Sequence, residues 1–465
     1  MTRAPSRALR VPTTRSLIER LVSSPVLAEV LPTLAPETFA ALVRRVGVED
    51  AAELVALATT EQLVEAFDED VFVNERAGTR ERFDGARFGV WLAVLLEAGD
   101  DVAARRVAEL DLDFVVHALS QLVVVIDDDA LRERTEDADP DAVGRLDKVL
   151  ESALTEEIDG YLLVARSHER WDDALALILA LDRDHRALLE RILDRLSRIT
   201  DAHLDDPDAL SAVLSEGESL AEDVEAAREG RRAQKGHVEP QAARAFLELA
   251  RGPATEAGRD PLTHAYFREL DRSRMAPRRA SAPSRPRLAA GEVHGLEEAV
   301  TTLIAEEPPR AGEAVRAHPL LAALRALASS DASLAETRME EIAYLANVIL
   351  AGAQRGERRF RPGEAAEAAL ATVALGAMEQ SGGRDPETLA EVLRTRSADL
   401  LFRAASERLA TRGGRGFLLD RAALEATLAA PKAAKRHAAT RASPPRAGTS
   451  EREKKRPSEA RKGRR

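Results

Sequence analysis

The sequence predicts a mainly α-helical protein built from stacked helical hairpins. Leu, Ala and Val recur at three- and four-residue spacing along most of the chain, which is the period of an amphipathic helix. Aromatic residues, which favour strands, make up only 3% of the 465 residues. Proline and glycine recur between the periodic segments and mark their ends. We therefore expect an all-α fold in two blocks, with one small β-hairpin near 153–166 and a disordered basic C-terminal tail.

Composition along the chain divides it into five parts. Residues 1–16 form a flexible basic arm, and residues 17–270 form an N-terminal helical-repeat domain. The stretch DRSRMAPRRASAPSRPRLAAGE, residues 271–292, is rich in Pro, Ser and Arg and predicts a linker. A C-terminal helical domain follows over 293–428, and residues 429–465 form the disordered tail.

The first block begins with short amphipathic helices. Segments such as APETFAALVRR and TTEQLVEAFDE place Thr or Pro near the first turn and apolar positions on one face. Such units cannot bury their faces alone, so we expect them to stack as repeats. Further along, RFGVWLAVLLEAG predicts a helix with one broad apolar face made by Phe88, Trp91, Leu92, Leu95 and Leu96.

The segment FVVHALSQLVVVIDDD, residues 114–129, has two interpretations. Val115, Leu119, Leu122 and Ile126 have the spacing of one helical face, which favours a buried helix. The β-branched run 123–126 leaves the last turn ambiguous between helix and strand. We favour the helix, with Asp127–Asp129 as its exit into a polar loop.

Turn signals predict two further corners. Asp159–Gly160 lies between two short alternating runs, which is typical of a two-residue hairpin turn. Later, Gly236 is placed to end one helix and Glu239–Pro240 to begin the next, because proline is favoured in a first turn. The intervening segment 171–204 predicts two helices or one bent helix.

Four stretches resemble an uncharacterised bacterial family, the domain of unknown function 6178 family. They are FGVWLAVLLEAGDDVAARRVAELDLDFVVHAL, GRRAQKGHVEPQAARAFLELA, EIAYLANVILAG and ADLLFRAASERL, and they follow one another over roughly residues 60–410. The resemblance implies a mostly helical protein. It implies no catalytic residue.

Several function classes have no support in the residues. Cysteine is absent, which excludes disulfides, iron–sulfur clusters, thiolate zinc sites and cysteine nucleophiles. No G-x-S-x-G motif occurs, and RGGRGF, residues 412–417, lacks the lysine of a phosphate-binding loop. The basic N-terminus lacks the apolar core of a signal peptide, and no apolar run could span a membrane. We expect a cytoplasmic protein without membrane, metal or cofactor.

One basic stripe marks a candidate site for an anionic partner or ligand. Arg228, Arg231, Arg232 and Lys235 share one helical face, and the chain around them is acidic. The alternative is pairing within the chain, to Glu222, Asp223, Glu225 or Glu229, or a solvated face.

The tail carries a second basic feature. Residues 431–465 have a balance of +10 against −13 for the whole chain, which leaves −23 elsewhere. Such a tail predicts salt-sensitive, sequence-independent attraction to nucleic acid, although it has no aromatic residue to stack on bases. Its candidate contacts are Lys432, Lys435, Arg436, Lys454, Lys455 and Arg456. A tail that only increases solubility is the alternative.

Three function hypotheses follow. We favour a helical scaffold or protein-interaction module that binds protein partners without catalysis, because stacked helices build extended surfaces. The second hypothesis is a nucleic-acid-associated protein that uses the tail. The third is an enzyme with His/Asp/Glu chemistry in a cleft between helices, which requires His168, Asp172 and His185 to converge with another carboxylate.

Overall fold

The computed structural model describes residues 27–129, 131–132, 153–201, 210–253, 263–264, 266–268 and 318–430. The predicted arm, the linker 271–292 and the tail from residue 431 lie outside the described residues, so the five-part division stays a prediction. The described residues up to Leu424 belong to one compact unit, which is described below. Its elements are helices with three small sheets, so the predicted fold class is confirmed.

The N-terminal half of the unit is a succession of helices interrupted by short strands. Its first elements are α1 (Leu27–Val30), α2 (Pro36–Val46), α3 (Ala52–Leu57), α4 (Thr60–Asp70), β1 (Phe72–Val73), β2 (Arg82–Phe83), α5 (Gly85–Glu97), α6 (Asp100–Glu109) and α7 (Leu112–Ser120). They are followed by β3 (Val123–Asp127), β4 (Thr155–Ile158), β5 (Tyr161–Ala165), α8 (Trp171–Asp184), α9 (Arg186–Asp201), α10 (Leu210–Gln234) and α11 (Pro240–Ala250). The segment 171–201 is thus two helices that meet at His185.

An aromatic cluster lies at the centre of the first core. Phe67 of α4 stacks on Phe114 of α7 and meets Trp91 of α5 edge to face, with ring centroids 5.6 Å and 5.1 Å apart. The indole nitrogen of Trp91 donates to Asp70 at 2.7 Å, so this buried ring keeps a polar partner. The predicted face of α5 is correct: Phe88, Trp91, Leu92 and Leu95 are buried, and Leu96 is partly buried against the core.

The hairpin predicted near 153–166 is present. β4 and β5 pair antiparallel, with Ile158 opposite Tyr161. Asp159 and Gly160 join them, with φ of 51° and 82° respectively. Both turn residues have positive φ, as the tight hairpin turn requires, and glycine and aspartate tolerate that conformation better than most residues.

The helix favoured over residues 123–126 is wrong. Helix α7 ends at Ser120, and residues 123–127 form strand β3, which pairs antiparallel with β5. The backbone groups of Val123–Ile126 bond to a strand about forty residues away in the chain, and their β-branched side chains suit that conformation. Val115, Leu119, Leu122 and Ile126 are all buried, so the spacing predicted burial correctly but not the element.

The helices after residue 317 pack around a second group of buried apolar residues. They are α12 (Pro319–Ser330), α13 (Ala332–Gly352), α14 (Pro362–Ser381), α15 (Pro386–Thr395) and α16 (Ala398–Thr411), with β6 (Gln354–Arg355) and β7 (Arg358–Arg359) as a small hairpin. Helix α17 (Arg421–Ala429) follows them in the chain. Helix α11 belongs to this group, because the ring of Phe246 lies 5.8 Å from that of Tyr344 and 6.0 Å from that of Phe402.

The corner between α10 and α11 is the predicted one. Gly236, with φ of 83°, follows the end of α10, and Pro240 is the first residue of α11. The carbonyl of Gly236 accepts hydrogen bonds from Asn347 at 2.8 Å and from Tyr266 at 2.9 Å.

In the described residues, no helix is both long enough and apolar enough to cross a membrane.

The contact between α14 and α16 generates a stability prediction. A methyl group on Gly376 would overlap the backbone carbonyl of Leu401, because the two helices touch there. We expect Gly376→Ala to lower the free energy of unfolding by about 1–3 kcal/mol, although alanine is the better helix former. Gly363→Ala in the same helix is the control, because nothing lies within 4 Å of its added methyl group. Equal urea midpoints for the two variants would contradict this packing.

Candidate functional site

Helix α10 carries the predicted basic stripe on the face that it turns toward the protein. Leu220 and Val224 of this helix are buried in the first core. Arg228, Arg231 and Lys235 continue the same face at helical spacing. The basic stripe therefore lies against helices α2 and α4 and against the segment that precedes β2. Each of these three parts of the chain supplies carboxylates to it.

Arg228 is the most buried of the four, with 2% of its surface exposed. Its Nε donates to the backbone carbonyl of Asp68 at 2.8 Å, and its two terminal nitrogens donate to Glu81 at 2.8 Å and Glu229 at 3.1 Å. The guanidinium also lies 4.2 Å from the ring centroid of Phe72. Burial of the charge is tolerated here because each of the three guanidinium nitrogens has a hydrogen-bond partner, and two of those partners are carboxylates.

The other three residues of the stripe are paired as well. Arg231 forms a two-pronged bond to Asp68, at 2.8 and 2.6 Å. Arg232 binds Glu81 at 2.7 Å and Glu229 at 3.0 Å, and Lys235 binds Glu65 and Glu37. Of the four acids considered from the sequence, Glu229 is the one that pairs with the stripe in the described residues. The stripe's role in binding an external anion stays a prediction.

Four of these acids were not among the partners considered from the sequence: Glu37, Glu65, Asp68 and Glu81. Glu65 and Asp68 are buried at 7% and 2% exposure, between the apolar residues of α4. Carboxylates at such inward positions of an amphipathic helix require a cationic partner, and this was the available signal. The sequence does not show which cation pairs with each acid, because the two residues of each pair are more than 140 positions apart in the chain.

The electrostatics follow from this geometry. Burial raises the pKa of Glu81, but the nearby charges of Arg232 and Arg228 lower it by a larger amount. The pKa of Glu81 therefore lies below its ordinary value. Burial lowers the pKa of Lys235, yet its bonds to Glu65 and Glu37 raise that pKa above the ordinary value. Glu81 and Lys235 are thus held in their charged forms around neutral pH.

The opposite face of α10 is acidic and lines two adjoining clefts. The first, of about 400 Å³, lies between α10, the segment before β2 and the start of α11. The second, of about 390 Å³, lies between α10, β2 and α7. Both are lined by Arg80, Glu222 and Glu225. We call the two clefts together the acidic groove; its carboxylates are Glu81, Glu218, Glu222, Glu225, Glu229 and Glu239, against the cations Arg80, Arg82 and Arg228.

His117 lies at the wall of the acidic groove, on α7. It is 6% exposed, and its ring meets that of Phe83 edge to face with centroids 4.9 Å apart. Burial lowers the pKa of His117 from 6.5 to about 4, so the imidazole is neutral at physiological pH. The residue is therefore a packing element of the groove wall and supplies no charge to it.

The three residues of the enzyme hypothesis do not converge. Asp172 lies in the first turn of α8, and His185 follows its last residue. At a rise of about 1.5 Å per residue, the two are roughly 20 Å apart along the helix axis. Residues 168–170 form a short turn before α8, so His168 lies at the Asp172 end. Among the described residues, no group of three or more His, Asp or Glu side chains could hold a metal ion.

The tail residues of the nucleic-acid hypothesis, Lys432, Lys435, Arg436, Lys454, Lys455 and Arg456, lie outside the described residues. Their role stays a prediction.

The burial of Arg228 generates a second stability prediction. Arg228→Met removes the charge while keeping much of the volume, and it leaves Asp68 and Glu81 with fewer donors. Loss of one member of a buried charge cluster should cost roughly 3–5 kcal/mol in the free energy of unfolding, measured by urea denaturation. The control is Arg45→Met on an exposed side chain, which should change stability by no more than about 0.5 kcal/mol. A cost for Arg228→Met as small as that of the control would refute the pairing.

The pKa of His117 generates a pH prediction. The unfolded chain binds a proton at this histidine below pH 6.5 and the folded chain only near pH 4, so stability should fall as pH drops through this window. His117→Gln should make that slope shallower, by up to about 1.4 kcal/mol per pH unit. The measurement is urea denaturation at a series of pH values, with His168→Gln on an exposed side chain as the control. An unchanged slope in His117→Gln would show that folding does not lower the pKa of this ring.

Comparison with known proteins agrees with the resemblance seen in the sequence. A family model described as a family of unknown function, DUF6178, matches residues 5–412. Neither a search of curated proteins nor a search of solved structures finds a match. The matched residues include most of the helices described above and the whole of α10. The chain therefore belongs to the family of unknown function DUF6178.

Proposed function

We propose that this protein is a protein-interaction module that binds a basic segment of a partner in the acidic groove. The observation that carries the proposal is the stripe of glutamates on the outward face of α10. Glu218, Glu222, Glu225 and Glu229 have the spacing of one helical face and line the groove along its length. Glu81 and Glu229 already pair with Arg228 and Arg232. The carboxylates that remain, Glu218, Glu222, Glu225 and Glu239, outnumber the cations Arg80 and Arg82, so the groove is net acidic.

The ion pairs of Arg80 indicate that the groove can accommodate a basic side chain. Its Nε lies 2.5 Å from Glu225 and a terminal nitrogen lies 3.7 Å from Glu222, where the two clefts adjoin. The side chain of Arg80 remains 47% exposed, and that of Glu222 remains 67% exposed. The guanidinium of Arg80 is thus already paired with two glutamates of the groove, and Glu222 keeps accessible carboxylate oxygens for a guanidinium of a partner.

The two faces of α10 support an interaction role over an anion-binding one. The cations of the inward face are matched by carboxylates of the chain, whereas Glu218 and Glu239 of the groove are exposed and have no ion pair among the described residues. Complementary charge of this kind sets the partner choice and the rate of association more than the affinity. His185 lies at the opposite end of α8 from His168 and Asp172, so these three residues do not form the site that the enzyme hypothesis requires.

Binding of a labelled oligo-arginine peptide, followed by fluorescence anisotropy, tests the proposal. The variant Glu218→Gln, Glu222→Gln, Glu239→Gln removes three exposed charges from the groove. Each exposed pair is worth about 0.2–1 kcal/mol, so the affinity should fall roughly tenfold.

The matched control removes three exposed charges elsewhere, with Glu53→Gln, Glu61→Gln and Glu97→Gln. This control should keep an affinity close to that of the unsubstituted protein. If both variants lose affinity equally, the attraction belongs to the whole acidic protein, and the groove is not the site.

A further inference from the structure

A third cleft differs from the acidic groove in the sign of its charge. It has a volume of about 310 Å³ and lies between α11, the end of α13, strand β6 and the loop 412–417. Its floor is apolar, because Leu247, Ala353 and Phe417 line it and are each at most 8% exposed. We call it the arginine cleft, after the cations Arg244, Arg251 and Arg415 that line it with a single acid, Glu248.

Two of these arginines are held by carbonyl groups. The Nε of Arg251 donates to the backbone carbonyl of Arg415 at 3.0 Å, and Nη1 of Arg415 donates to the carbonyl of Gln354 at 3.0 Å. A carbonyl orients a guanidinium without neutralising it, and the remaining N–H groups stay available for a ligand. Among the described residues, neither Arg251 nor Arg415 forms an ion pair with a carboxylate.

Arg244 completes the set in a different way. Its Nε lies 2.9 Å from Glu248, one turn along the same helix, and both side chains are more than half exposed. Such an exposed pair is worth little and exchanges readily, so Arg244 can turn to a ligand at small cost. The lining as a whole has a charge of +2, whereas the lining of the acidic groove is −3.

The glycine-rich loop is what lets these groups approach one another. Gly416 has a φ of 87°, which other residues rarely adopt, and a methyl group there would lie 2.9 Å from Cγ of Arg251. The stem of Arg251 therefore lies directly against the loop that carries Arg415. The segment RGGRGF, residues 412–417, lacks the lysine of a phosphate-binding loop, so its sequence does not predict a phosphate site. In the fold it contributes a guanidinium rather than a cradle of backbone amides.

We propose that the arginine cleft binds a small organic phosphate. Two oriented guanidiniums with unused N–H groups match the oxygens of a phosphate ester, which arginine can bind through paired hydrogen bonds. The apolar floor favours a flat or apolar group attached to that phosphate. The volume is at the lower end of the range for small-molecule sites, roughly 300–1,000 Å³, which excludes large ligands. This inference does not depend on the acidic groove.

Isothermal titration calorimetry with phenyl phosphate, glycerol 1-phosphate and inorganic phosphate tests the proposal on the full-length chain. Phenyl phosphate should bind saturably with one site per chain and more tightly than the other two, because only it can cover Phe417. Binding should weaken as salt concentration rises. Absence of saturable binding by phenyl phosphate overturns the proposal. Equal affinity for all three probes overturns its organic part.

Substitution locates the site. Arg415→Gln and Arg251→Gln should each weaken phenyl phosphate binding by about tenfold or more, since each removes a charged hydrogen-bond donor. Arg325→Gln removes the same charge from an exposed side chain of α12 outside the cleft, and it should leave the affinity unchanged. Thermal melts of each variant separate loss of binding from loss of folding. Retention of full affinity by a folded Arg415→Gln protein overturns the assignment.

Discussion

The position of helix α10 depends on one buried guanidinium, that of Arg228. This helix contributes Leu220 and Val224 to the first core, and beyond Val224 its inward face is charged. Arg228 joins the backbone of α4 to Glu81, a residue near β2, and its guanidinium lies over the ring of Phe72 of β1. One side chain therefore sets the distance between the helix and three other elements.

Buried charges of this kind specify an arrangement more than they stabilise it. The desolvation of Arg228, Glu81 and Asp68 offsets much of the attraction between them, whereas a shift of the helix by one turn would leave several charges buried and unpaired. We infer that the cluster fixes the register of α10. That register also determines which glutamates face outward, so the acidic groove is a consequence of the pairing on the other side of the helix.

The arginines of this protein have different environments, and the environment decides what each can do. Arg228, Arg231 and Arg232 meet carboxylates, and their charge is used inside the fold. Arg251 and Arg415 meet carbonyl oxygens, which orient them but leave their charge unmatched. Helical spacing makes the first set visible in the sequence, whereas Arg251 and Arg415 are 164 residues apart and come together only in the fold.

The sequence by itself determined the local features of this protein. The three- and four-residue spacing placed the buried face of α5, Asp159–Gly160 marked the hairpin, and Gly236 with Pro240 marked the corner before α11, because each signal acts within a few residues. Contacts between distant residues were decided only by the tertiary structure. Val123–Ile126 form a strand because they pair with the backbone of β5. Arg228 binds Glu81, which is 147 residues away in the chain. Periodicity reports which side chains avoid water, but it does not report which group meets them there.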